Sequence, residues 1–319
     1  MSAVTLRWSR PGFIGRHGVA ADALDKELDA YRMRHNKTVL QGESFFRFVK
    51  TRGGSYKESN YGNGLELPRV SEDTARMPLV TPVPGFNEEI TITTYRAGIQ
   101  VERALPEDQI FAVAQKMMSG LMRSGKLCLE YAMADKMNNL TSTAAAYVGA
   151  DGVAVASDDH PHERRETGTW SNIESAAALT HASFSTARKN MRKRTDEFGY
   201  VMSVFPRKLV VPPELEQKAR EIRTAEKVPE NALNQPNVWK DTGWEVTVYD
   251  YLTDTNGWML WGDMPADSCG LMIAQSEPSA IAPMTGRDTS TDVIWGRRLR
   301  MRFGMGVLTE KNLQYNAGA

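Results

Sequence analysis

Between residues 106 and 137 apolar residues return at helical spacing: Ile110, Val113, Ala114, Met117, Leu121, Cys128, Tyr131 and Ala132. A 3.6-residue period sustained that long predicts a single long helix. Pro106 suits its first position, and Glu107 and Asp108 complement the helix dipole in the first turn. About 32 residues rising 1.5 Å each make a rod of roughly 48 Å. Gly120 and Gly125 each cost about 1 kcal/mol relative to alanine, so they mark a bend or a close contact. Asn138 and Asn139 end the pattern.

On either side of the rod the pattern changes. Residues 44–50 and 89–101 read as strands, the second alternating Ile90, Ile92 and Tyr95 against Thr91 and Thr93. Further strands are predicted over 206–213, 244–252, 257–261, 271–274 and 293–303. Three shorter helices are predicted over 20–34, 183–198 and 214–224, the last begun by Pro213. Residues 1–18 carry Gly12, Gly15 and Gly18 without periodicity and read as an extended arm. Roughly 40 residues between the first two strands lack a core pattern and hold four prolines, Pro68, Pro78, Pro82 and Pro84. Loops that long usually serve a function, and a two-stranded hairpin reaching a neighbour accounts for this one. The class is α+β, without repeats of solenoid period.

Composition narrows the function. Hydrophobic residues make 41% and charged residues 24% of 319, as in an ordinary globular chain. Lys+Arg and Asp+Glu both number 39, so the formal net charge is zero. A dedicated nucleic-acid binder is usually basic, whereas zero net charge favours self-association. The two cysteines, Cys128 and Cys269, have no metal spacing and read as reduced, buried residues. No signal peptide and no run of 18 apolar residues is present, so a protein made in the cytoplasm and not spanning a membrane is expected.

The segment Phe205-Pro-Arg-Lys-Leu-Val-Val-Pro-Pro-Glu-Leu-Glu-Gln-Lys-Ala219, preceded by a basic helix and Phe198-Gly199-Tyr200, resembles the strand–helix signature of Mu-like bacteriophage head proteins. Trp244-Glu-Val-Thr-Val248 and Gly257-Trp258-Met-Leu260 are similar to the strand pair that follows it there. Gly152-Val-Ala-Val-Ala-Ser-Asp-Asp-His160-Pro161 resembles a Phe-Ser-x-x-His-Pro stretch of the same proteins, without its aromatic residue. With the order of elements, the resemblance covers about residues 40–305. It points to the Hong Kong 97-type major capsid fold of tailed bacteriophages.

The resemblance implies an N-terminal arm (1–43) and an extended hairpin, the E-loop (44–90). A peripheral (P) domain with the long spine helix (91–146 and 280–319) and an inserted axial (A) domain (147–279) complete the layout. It further implies a structural protein that self-assembles through pentamers and hexamers into an icosahedral shell around double-stranded DNA. Implied partners are a portal, a separate scaffolding protein and possible decoration proteins, with non-specific contact to the packaged DNA. The implied location is the virion capsid, after synthesis in the host bacterial cytoplasm. Two other readings are an encapsulin-like nanocompartment shell of the same fold, and a ligand-binding or enzymatic domain with a lid at 50–88. Some family members crosslink subunits by a Lys–Asn isopeptide bond, and Lys50 and Lys57 lie in the hairpin region, without a signature for the required carboxylate.

No catalytic or cofactor constellation stands out: no G-x-S-x-G elbow and no phosphate loop occur, so neither catalytic residues nor a cofactor is expected. His160 and His162, in Asp158-Asp159-His160-Pro161-His162, are the weak metal candidates, on a polar loop that reads as ordinary surface. Arg188, Arg192 and Arg194 form a basic helix face, either solvated or paired with a neighbouring subunit. Arg297, Arg298, Arg300 and Arg302 sit on an alternating strand, one side of which is expected to be basic. They face packaged DNA or, as the favoured reading, inter-subunit carboxylates.

Overall fold

The computed structural model describes residues 40–59, 85–102, 110–162, 168–174, 177–195, 200–228, 235–240, 242–263, 270–284 and 293–318. The expected helix over 20–34, the middle of the long hairpin, Pro106 and Cys269 lie outside them. The first elements are β1 (Arg47–Lys50), β2 (Ser55–Ser59), β3 (Asn87–Thr91), β4 (Thr93–Glu102) and α1 (Ile110–Asn138). There follow β5 (His160–Pro161), β6 (Thr169–Trp170), β7 (Ile173–Glu174), α2 (His181–Arg192), β8 (Phe205–Val211) and α3 (Glu216–Thr224). The chain then forms β9 (Glu245–Val248), β10 (Trp258–Asp263), β11 (Leu271–Pro283), β12 (Val293–Val307) and β13 (Leu313–Asn316). Contacts divide it into two compact units, and α1, β11 and β12 give residues to both.

One unit contains Thr93–Glu130 and Ser276–Phe303. Here β4 and β12 pair antiparallel from Thr93↔Phe303 to Val293↔Glu102, with an irregularity between Val293 and Trp295. Tyr95 stacks on Phe303 with ring centroids 4.6 Å apart. The buried stripe of α1 is Ala114, Met118, Leu121, Gly125 and Leu129. Gly125 is a contact point, because a Cβ there would come within 2.7 Å of Leu299 Cδ1 on β12. Among the described residues nothing lies within 4 Å of such an atom at Gly120. The expected stripe was out of phase by one residue at two places: Met117 and Tyr131 are exposed. A glycine carries no apolar signal in a sequence pattern, yet here it is the residue that lets helix and strand approach.

The other unit contains Gln41–Ile92, Tyr131–Gln275 and Gly304–Ala319. Its main sheet runs β7-β13-β10-β8-β9. β10 is antiparallel to both β8 and β13, while β9 and β7 join parallel at the edges. Phe184, Ala187 and Met191 of α2 and Ala219 and Ile222 of α3 share one core with Leu209, Val211, Trp244, Trp258 and Leu260. Helix α2 opens with a capping box between Thr180 and Ser183. It ends at Arg192, short of the expected residue 198, because the chain turns there and Thr195 bridges to Val201. A 3-10 turn at Pro213–Leu215 precedes α3, so that helix starts two residues later than expected.

Strand β13 was not anticipated, since its surroundings are polar in sequence, yet Asn312, Gln314 and Asn316 are all buried. Tyr315 donates to Asp254 Oδ2 at 3.2 Å. Burial, reinforced by the Asp254 carboxylate, pushes its pKa up to about 12. Below pH ~10 both folded and unfolded chains keep this proton; between about 10 and 12 only the folded chain does. Stability from Tyr315 is therefore full below pH ~10 and falls as pH rises through its folded pKa of about 12. Denaturation midpoints measured across this window should decline less steeply in Tyr315→Phe than in wild type.

Candidate functional site

The base of the long hairpin is built into the second unit. β2 and β3 pair from Ser55↔Thr91 to Ser59↔Asn87, so residues 60–86 connect them. Tyr56 and Ile90 face each other and pack with Met272, Ala274 and Leu308. The Tyr56 hydroxyl donates to Glu58 at 2.7 Å, and Arg47 donates to the same carboxylate at 2.8 Å. Burial, followed by the Glu58 hydrogen bond, raises the Tyr56 pKa. The exposed pair Lys57–Glu89 adds little to stability. Gly306 admits the hairpin closely: a Cβ there would lie 2.5 Å from Ile90 Cγ1. Below the hairpin, Lys136 is buried and donates to Ala146 O at 2.7 Å. Burial lowers its pKa and raises that of Glu88, each partly offset by the other's charge.

The arginines expected to form basic faces separate into inner and outer members. Arg194 is buried and donates to Lys311 O at 2.6 Å, Leu313 O at 3.0 Å and Gln314 Oε1 at 2.8 Å. It ties the end of α2 to β13 and is not a surface charge. Arg188 is buried too, its guanidinium 4.9 Å from the Phe205 ring centre and 4.8 Å from that of Trp239. Burial, with Arg192 nearby, lowers its pKa. Of the three, only Arg192 is exposed.

On β12, Arg297 lies on the buried side with Leu299, Met301 and Phe303. The expected basic side is therefore Arg298, Arg300 and Arg302, without Arg297: adjacent strand residues point to opposite faces. Arg300 and Arg302 both reach Glu277, at 3.1 Å and 3.9 Å.

The loop holding His160 and His162 also differs from a plain surface loop. His160 is fully buried, stacks on Trp170 at 4.5 Å, and holds Nδ1 2.6 Å from Asp151 Oδ2. The structure brings Glu310 to this pair, the ligand atoms lying within 4.8 Å of one another; His162 is not in the group. Asp151 and Glu310 were missed because one is 9 and the other 150 residues from His160, without a spacing motif.

A family model described as phage capsid protein matches residues 67–316, most of the chain. The chain belongs to the phage capsid protein family. Several solved structures share its fold at low identity. The capsid of an empty GTA particle is 10% identical, covering 88% of this chain and 90% of that one, with a TM-score of 0.54. A phage-related protein from Bordetella bronchiseptica is 12% identical, covering 92% and 96%, with a TM-score of 0.52. The structure from Mycobacterium phage Bobi is 10% identical, covering 89% and 91%, with a TM-score of 0.51. No curated protein matches the chain. The capsid subunit thus has the Hong Kong 97-like mixed helix and sheet fold that its sequence resembles. It is a major capsid protein, a structural subunit of which many copies build the virion shell. The nanocompartment reading is not favoured. Among the described residues no helix is long and apolar enough to cross a membrane.

Proposed function

We propose that the capsid subunit assembles, without chemistry of its own, into pentamers and hexamers, with residues 44–90 serving as the E-loop that overlaps a neighbouring subunit. The observation that supports this most is the hairpin base: a strand pair fastened to the core by Tyr56 and Ile90, whose connection of residues 60–86 is far longer than a turn requires. In this reading the segment 1–43 is a second overlapping arm. Residues 91–146 and 280–319 make the P domain around α1, and 147–279 make the A domain. Closed shells arise from many near-equivalent contacts, each of which can be weak because multivalency supplies the sum. A portal, a separate scaffolding protein and possible decoration proteins complete the particle. Packaged double-stranded DNA is met through sequence-independent phosphate contact, for which the exposed Arg192 is the candidate.

Replacing residues 60–86 by Asn-Gly tests this, because a two-residue type I′ turn keeps β2 and β3 paired. The variant should match the wild-type melting temperature and yield no polyhedral particles by negative-stain imaging. Normal shells from it would overturn the hairpin assignment. A wild-type chain that stays monomeric across salt and concentration would overturn the assembly reading itself.

A further inference from the structure

We propose that Asp151, His160 and Glu310 form a binding site for one divalent first-row transition cation, of the zinc or manganese class. The trio is prepared by local backbone structure. The turn around Asp151 is closed by Gly149 N–H donating to Val153 O at 2.8 Å and by Gly152 in a left-handed conformation, φ +78°. Asp151 Oδ1 accepts from Val153 N at 3.0 Å, which leaves Oδ2 for His160. His160 is fixed by its pairing with Trp170 across β5 and β6 and by the stacked indole. Glu310 begins the turn into β13, where Leu313 N donates to its carbonyl at 3.1 Å. Ala150 N donates to Val307 O at 3.0 Å, which joins the Asp151 turn to the end of β12. Gly149 gives the Glu310 carboxylate its room, since a Cβ there would overlap Glu310 Oε1 and sit 3.0 Å from Asp151 Oδ1.

The donor set suits a cation. The side chains of His160 and Asp151 are 0% and 4% exposed, and Glu310 is 5% exposed. Three buried groups able to ligate a metal converge here, their ligand atoms within 4.8 Å of one another. One imidazole nitrogen with two carboxylate oxygens is a mixed set suited to zinc, manganese or cobalt; calcium and magnesium prefer oxygen alone. Bonds of about 2.0–2.2 Å to such ions place coordinated atoms roughly 3 Å apart. The His160–Asp151 pair at 2.6 Å has only to open slightly as the ion takes the place of the shared proton. The ion would staple three segments distant in sequence, at residues 151, 160 and 310.

The test uses the full chain, stripped with chelator and titrated calorimetrically with Zn²⁺ and Mn²⁺, with Co²⁺ as the spectroscopic substitute. One ion per chain is expected, with visible ligand-field bands for Co²⁺. Saturating Zn²⁺ should raise the melting temperature by about 5 °C. Glu310→Gln should weaken binding at least about 100-fold, since even outer-shell partners of metal ligands are worth 10–100-fold. If that variant does not fold, the wild-type stoichiometry and Co²⁺ spectrum decide. Failure of the wild-type chain to take up any of the three ions in stoichiometric amount overturns the site, as does undiminished affinity in a folded Glu310→Gln. Neither readout depends on shell formation, so the assembly reading stands or falls separately.

Discussion

Trp258→Ala should destabilise the capsid subunit by about 3–5 kcal/mol, the range for truncating a large aromatic residue in a core. Trp258 is 0% exposed and shares one cluster with Phe184, Leu209, Trp244 and Leu260, so its removal leaves a cavity bounded by a sheet and two helices. Its Nε1 also donates to Ala177 O at 3.0 Å, across 81 residues of chain. Truncation strands that carbonyl, which adds about 1–3 kcal/mol if water cannot reach it. Against a total stability of about 5–15 kcal/mol, such a loss leaves much of the chain unfolded and depletes shells through lack of subunit. Trp258→Phe keeps a six-membered ring at the site and loses the pyrrole portion with its donor, so it should cost less than Trp258→Ala. Equilibrium denaturation in urea of the two variants, beside wild type, checks the ordering. A loss below about 1 kcal/mol for Trp258→Ala would mean that β10 is not the centre of this core.

The residues that made the fold legible in sequence are those whose neighbours are local. The period of α1, the proline-closed segment of β8 and the alternation of β9 each depend on residues within a few positions, and each was read at nearly the right place. Long-range partners were not legible. Arg188 looked like part of a charged helix face because nothing nearby in sequence announces Phe205 and Trp239, whose rings cover it. Strand β13 was not among the predicted strands, because Asn312, Gln314 and Asn316 break any apolar alternation there, although all three are buried. Arg297 was grouped with its basic neighbours by charge, when the two-residue period of a strand already placed it on the opposite face. The His160 cluster shows the same limit more sharply. Of its three residues only His160 was a candidate in sequence, and Asp151 and Glu310 reach it only through the fold.

Arg194→Met should cost about 3–5 kcal/mol, because three buried neutral acceptors lose their donor at about 1–3 kcal/mol each, partly relieved where the site relaxes. The methionine side chain fills similar space but donates nothing to Lys311 O, Leu313 O or Gln314 Oε1. Burial lowers the Arg194 pKa to about 10, so the guanidinium stays charged at neutral pH and its bonds are the stronger, charge-assisted kind. Trp170 lies beneath the guanidinium at 5.1 Å and extends the same tether to β6. Arg192→Met is the matched control, two residues away on an exposed position, and should change stability by no more than about 0.5 kcal/mol. The two variants also separate an internal tether from a charge that meets DNA. If Arg194 holds α2 to β13, its loss appears in the denaturation curve of the isolated subunit. A phosphate contact instead appears as a smaller salt dependence of DNA binding by folded protein. Arg194→Met with wild-type stability and a reduced salt dependence would return this residue to the surface set. The opposite pattern, with any change in salt dependence confined to Arg192→Met, leaves Arg194 as part of the interior.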